Sequence, residues 1–318
     1  MNFLYPQPTT LNRIIGRYTG KEKGPLLICL GGIHGNEQAG VRALDLVFKM
    51  LEVEPITNPD FYFRGRILGL RGNVQALKAG KRYLHKDLNR QWTPDQVNRV
   101  LSNNPSQLEA EDLEQYQLLA LIQQEIADYQ PTQLIILDLH TTTATGGIFV
   151  VVTDDPLSIE IGKELHAPVI KGLLKGIQGT ILHYFNSQNF SIPTTAVCFE
   201  AGQHDEPLSI NRSIAATIAC LRNIGCVDPS HIENQHDRIL LEYARGLPPL
   251  CELIFTHRIQ PNDDFKMQPG YINFQQLIKG EIIADDKQGP IAVQEDCRIL
   301  MPLYQKQGND GFFLIREI

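Results

Sequence analysis

The chain has 318 residues, long enough for one large α/β unit and a smaller one, and no apolar run in it approaches the roughly 18 residues that a membrane helix needs. A formal net charge of −7 argues against generic nucleic-acid binding, yet "KAGKRYLHKDLNR", residues 78–90, can still form a local basic pocket for an acidic small molecule. The first residues, "MNFLYPQPTT", carry no signal-peptide pattern, and the six cysteines follow no regular spacing, so a cytoplasmic protein without disulfides is expected.

Residues 26–30, "LLICL", read as a buried strand that breaks at "GGIHGNE". A helix follows, because Val41, Leu44, Val47, Phe48 and Leu51 recur every three or four positions. Residues 66–70 form a further strand candidate, ended by "RGN". A second helix is predicted over 109–127, closed by Pro131. Strands at 134–137 and 195–199 end at "DLHTTT" and "EAGQHD", and a helix over about 209–221 stops near Gly225, a C-terminal cap. Beyond Gly246, "LPPL" reads as a linker, and the turn signals "QPG", "IKG", "KQGP" and "GNDG" predict a small β-rich domain. Strands alternating with helices give an α/β sheet, whose ligands bind beyond the carboxyl ends of its strands.

Two of those strand ends carry metal-ligand chemistry. His34 and Glu37 stand three residues apart and His140 lies 103 positions later. Two histidines and a carboxylate with an open fourth position form the ligand set of a catalytic zinc site. Taken singly, each has an ordinary alternative: a turn histidine, a helix-capping glutamate, a solvated histidine. Glu200, at the end of the apolar run "TTAVCF", is the candidate general base, since partial desolvation raises a carboxyl pKa into a useful range. Asp138 is placed to orient His140, or is a plain strand-end aspartate. Arg82, Asn89 and Arg90 are suited to holding a carboxylate and polarising a carbonyl, a solvated basic loop being the alternative. "GGIHGNE" lacks the Lys-Ser/Thr of a phosphate loop, so nucleotide binding is not expected. Cys220, Cys226, His231 and His236 match no zinc-ribbon or finger spacing and are read as structural or surface residues.

Together, "GGIHGNE", "GNVQALKAGKRYLHKDLNR", "DLH" followed by threonines, and "FEAG" resemble the succinylglutamate desuccinylase/aspartoacylase family, which is related to the zinc carboxypeptidases. The resemblance implies a zinc-carboxypeptidase-like mixed sheet flanked by helices over residues 1–245, with a smaller C-terminal β-rich domain, 246–318, shaping the entrance. It implies one zinc ion per chain on His34, Glu37 and His140, with Glu200 as base and proton donor. Arg82 then polarises the scissile carbonyl, and Asn89 and Arg90 hold a substrate carboxylate. The implied substrate is a small N-acyl amino acid, with no nucleic-acid or membrane partner and a homo-oligomer left open. The chain departs from the family pattern at one point: residues 176–199 contain no arginine or lysine, and Phe190 sits about where a carboxylate-clamping arginine is expected. His183, Gln188 and Asn189 are the polar residues near it, and a substrate with a less acidic side chain is expected. Two other readings stay open, a zinc carboxypeptidase acting on small peptides and a non-catalytic metal-binding protein.

Overall fold

A computed structural model describes residues 12–228 and 235–318. The strands, in chain order, are β1 (Ile14–Thr19), β2 (Glu22–Gly31), β3 (Arg64–Arg71), β4 (Leu134–Thr142), β5 (Phe149–Val152), β6 (Val169–Lys171) and β7 (Thr194–Gln203), followed by β8 (Leu250–Arg258), β9 (Lys266–Met267), β10 (Gln276–Leu277), β11 (Ile282–Asp286), β12 (Gly289–Ala292), β13 (Cys297–Leu300) and β14 (Asp310–Glu317). Eleven of them form one mixed sheet in the order β1-β3-β2-β4-β7-β5-β6-β8-β14-β13-β10, and β12-β11-β9 form a small antiparallel one.

The centre, β3-β2-β4-β7, is parallel. Its strands are apolar on both faces because helices cover both. Leu27, Cys29, Ile135 and Leu137 point to one side, where helices Ala39–Thr57 and Leu208–Asn223 pack. Leu26, Ile28, Leu134 and Ile136 point to the other, against helix Ala110–Tyr129. Helix Leu208–Asn223 ends as the sequence suggests: Gly225 takes φ +72° and the Gly225 and Cys226 amides donate to the Arg222 and Leu221 carbonyls, a Schellman closure.

One feature differs from the sequence expectation. β4 and β7 do not stop at Leu137 and Phe199 but run on through Asp138–Thr142 and Glu200–Gln203, with His140 paired opposite Glu200. Polar side chains do not end a strand whose backbone bonds continue, and the alternation simply carries Asp138, His140 and Glu200 onto one face. The C-terminal residues are β-rich as expected: β9, β11 and β12 form the small sheet, while β8, β10, β13 and β14 continue the main one through the β6–β8 pairing. All six cysteines are buried free thiols, with Cys220 inside helix Leu208–Asn223. His231 lies outside the described residues. Among those described, no helix is long and apolar enough to cross a membrane.

Candidate active site

β2, β4 and β7 are in parallel register, with Leu30 opposite Asp138 and His140 opposite Glu200, so their carboxyl ends open onto one crevice. His34 and Glu37 reach it from the turn after β2. Two glycines make that turn: Gly32 has φ +71°, and a Cβ on Gly35 would sit 2.1 Å from the Ala76 carbonyl carbon in helix Val74–Ala79. Gly35 N donates to the Arg82 carbonyl at 3.1 Å, which ties the turn to the arginine-rich segment. Gly35→Ala is therefore expected to push the two backbones apart, costing about 1–3 kcal/mol by overpacking. A thermal melt with a parallel measurement of metal content checks this.

His34, Glu37 and His140 converge, with candidate ligand atoms all within 4.8 Å of one another, and all three are buried. His34 Nδ1 lies 2.7 Å from Glu37 Oε1, and His140 Nδ1 lies 2.9 Å from Oε2, which also accepts the Thr141 amide at 3.0 Å. The opposite ring nitrogens are held by carboxylates: His34 Nε2 is 3.1 Å from Asp87 Oδ1 and His140 Nε2 is 2.8 Å from Asp138 Oδ2. Each imidazole is thus held between two carboxylates, with Nδ1 turned toward the other members of the cluster. That is the donor set and orientation a divalent cation such as zinc requires.

The electrostatics agree with this arrangement. Burial raises the Glu37 carboxyl, but His34 and His140 outweigh it and hold the pKa well below the usual range. Burial opposes a charge on His140, while Asp138 and Glu37 carry it well above the usual histidine value. Glu200 is the contrast. Burial pushes it up to about 8; His140 opposes the shift, and Glu37 and Asp138 add to it. Its Oε2 is buried with no hydrogen-bond partner.

Arg82 Nε and Nη2 donate to Asp87 Oδ2 at 3.1 and 2.9 Å, and its Nη1 stands 3.6 Å from Glu37 Oε1. Asn89 sits in a short 3-10 turn, Leu88–Arg90, with its Oδ1 accepting the Ile181 amide at 2.9 Å and its Nδ2 3.3 Å from His140 Nε2. Arg90 Nη2 donates to Asp310 Oδ2 at 2.6 Å. All seven candidate residues line one cavity of about 110 Å³, together with His204 and Asp310.

Sequence reasoning missed Asp87, His204 and Asp310. Asp87 had a signal, since an aspartate two residues before Asn89 caps that turn by accepting the Asn89 amide at 2.9 Å. His204, whose Nδ1 lies 2.7 Å from Thr141 Oγ1, and Asp310 had none. The three polar residues near the absent clamp do not line the cavity. His183 Nδ1 caps Thr180 at 2.8 Å and its Nε2 meets the Leu174 carbonyl, while Gln188 and Asn189 are exposed. Phe190 stacks on Phe185 at 5.0 Å and belongs to the packing of the core.

Residues 23–215 match the family model described as the succinylglutamate desuccinylase/aspartoacylase catalytic domain. A probable aspartoacylase of Nostoc sp. is 31% identical over 133 residues, which cover 42% of this chain and 40% of that protein. A succinylglutamate desuccinylase of Serratia proteamaculans is 39% identical over 66 residues, 21% of this chain and 19% of that protein. The matches thus span less than half the length of these curated relatives. Among solved structures, a succinylglutamate desuccinylase/aspartoacylase from Rhodobacter sphaeroides superposes with a TM-score of 0.65 at 14% identity, over 95% of this chain and 87% of that one. Murine aminoacylase 3 gives 0.57 at 19% identity, over 94% and 97%. At such identities the likeness concerns the fold.

Proposed function

The chain belongs to the succinylglutamate desuccinylase/aspartoacylase family, and from that premise we propose that it is a zinc-dependent hydrolase that cleaves the amide bond of an N-acyl amino acid. The observation that carries the proposal is the placement of Glu200: a buried carboxylate with one unpartnered oxygen, opposite His140 in register and beside a histidine-glutamate-histidine cluster.

In this reading His34, Glu37 and His140 hold the ion, and Asp87 and Asp138 hold the two imidazoles. When bound, zinc supplies a Lewis acid that acidifies water and polarises a carbonyl. Glu200 takes the proton from the attacking water and returns it to the departing amine. Arg82, kept in place by Asp87, faces the oxygen on which negative charge develops. Burial works against its charge, but Asp87 and Glu37 hold its pKa above the ordinary arginine value, so it stays cationic. Asn89 and Arg90 hold the substrate carboxylate, and the β-rich residues 246–318, joined to the main sheet through β8, act as the smaller unit that shapes the entrance. Buried free thiols suit the cytoplasmic location proposed for it.

Zinc-loaded protein incubated with N-acetyl and N-succinyl amino acids, alongside dipeptides, tests the reading. Release of free amino acid from the acyl substrates is expected. Cleavage of dipeptides alone would favour the carboxypeptidase, and no turnover with zinc bound would favour a binding protein. Arg82→Met is expected to lower kcat by about 10²–10³-fold with a smaller change in KM, as for loss of one oxyanion donor. Steady-state kinetics on the best substrate of the panel measures the split.

A further inference from the structure

The cavity is poor in free positive charge. Among the described residues that line it, the only arginines or lysines are Arg82 and Arg90. Arg82 is engaged in its two bonds to Asp87. Arg90 donates through Nη1 to the Asn89 carbonyl at 2.7 Å and through Nη2 to Asp310, which comes from the start of β14, 220 positions away in sequence. Asp310 is only 9% exposed, and its Oδ1 has no hydrogen-bond donor. Arg258 Nη1 stands 3.7 Å from that oxygen, but the Arg258 side chain is 42% exposed, bonds the Gly176 carbonyl and does not line the cavity. Another part of the lining is apolar, made by Leu173, Leu174, Ile177 and Leu182 with Val151 and Phe313.

These groups set a charge rule. Arg90 keeps N–H donors for one incoming carboxylate. A second carboxylate would leave water, meet no further arginine or lysine among the described lining residues, and face either hydrocarbon or the like charge of Asp310. An uncharged aliphatic or aromatic group meets the leucine wall at no such cost.

Resting on the deacylase reading, we infer that the substrate carries a single carboxylate and an uncharged, largely apolar group packed on the Leu173–Leu182 wall, and that Asp310 rejects a second carboxylate. The test compares kcat/KM of the zinc-loaded protein for N-acetylleucine, N-acetylphenylalanine and N-isovalerylglycine with that for N-acetylaspartate and N-succinylglutamate. The best monocarboxylate is expected to exceed both dicarboxylates by at least about 100-fold, since an unpaired buried charge discriminates strongly; equal or reversed preference overturns the inference. Asp310→Asn, which frees Arg90, is expected to shift that ratio toward the dicarboxylates by about tenfold or more. A variant that only loosens the cavity lowers both rates together, and an unchanged ratio removes Asp310 from the role. If no acyl amino acid is cleaved, the deacylase reading fails. The charge rule is then read from calorimetric titration of the zinc-loaded protein with N-acetylleucine and N-acetylaspartate, where equal or tighter binding of the aspartate compound, or of neither, overturns it.

Discussion

Glu200→Gln is expected to keep its metal while losing amide hydrolysis by about 10²–10⁴-fold, the usual contribution of a positioned acid-base group. The substitution preserves shape and removes only the capacity to take up a proton. The two carboxylates beside it are already engaged: Glu37 by both histidines and the Thr141 amide, and Asp138 by His140. Metal analysis beside steady-state kinetics reads the two effects separately, and an undiminished rate would reject Glu200 as the base.

The same variant carries a pH signature in the metal-free protein. Burial holds the Glu200 pKa at about 8 against an unfolded value near 4.5, so the fold accommodates the neutral carboxyl. Stability from this source is fully present below 4.5 and is lost as pH rises through about 8. The glutamine variant stays neutral throughout, so its melting temperature should rise relative to wild type across that window. Adding metal places a cation beside the carboxylate and should narrow the gap. A gap independent of pH would remove the premise that Glu200 is the buried carboxyl being titrated.

What could be read from the sequence follows from how local each determinant is. The strand at residues 26–30, the helix beginning near Val41 and the Gly225 cap depend on neighbouring residues, and all appear where periodicity and glycine placement put them. The candidate metal ligands were legible because each follows an apolar run at a sheet edge. The extent of β4 and β7 was not, because backbone pairing with flanking strands, rather than side-chain polarity, decides where a strand stops. Asp310 was not legible either. Its importance arises only when β14 joins β8 in the main sheet and brings it to Arg90. The joining of β8 to β6 was hidden for the same reason: edge pairing between distant segments leaves no mark in either one.

Chelation and His34→Ala should both empty the metal site, yet leave different proteins behind. In the metal-free state each Glu37 oxygen has donors, Oε1 from His34 and Oε2 from His140 and the Thr141 amide, so removing the ion does not leave the Glu37 carboxylate unpaired. Chelated wild type is therefore expected to keep its circular-dichroism spectrum and lose only the mass-action share of stability, about 4 kcal/mol where free metal had stood at a thousand times Kd. His34→Ala removes one ligand and also strips Glu37 Oε1 of its hydrogen-bond donor, leaving Arg82 Nη1 3.6 Å away. Its metal content by atomic absorption should fall from about one ion per chain to near background, and its melting temperature should lie below that of chelated wild type. Asp138→Asn, which leaves all three ligands but weakens the hold on His140, should instead bind metal about 10–100-fold more weakly. Full metal retention by His34→Ala would overturn the ligand assignment. Melting temperatures of chelated wild type and His34→Ala that coincide would show that the His34–Glu37 bond contributes nothing without metal, leaving binding of the ion as the sole energetic reason for that pair.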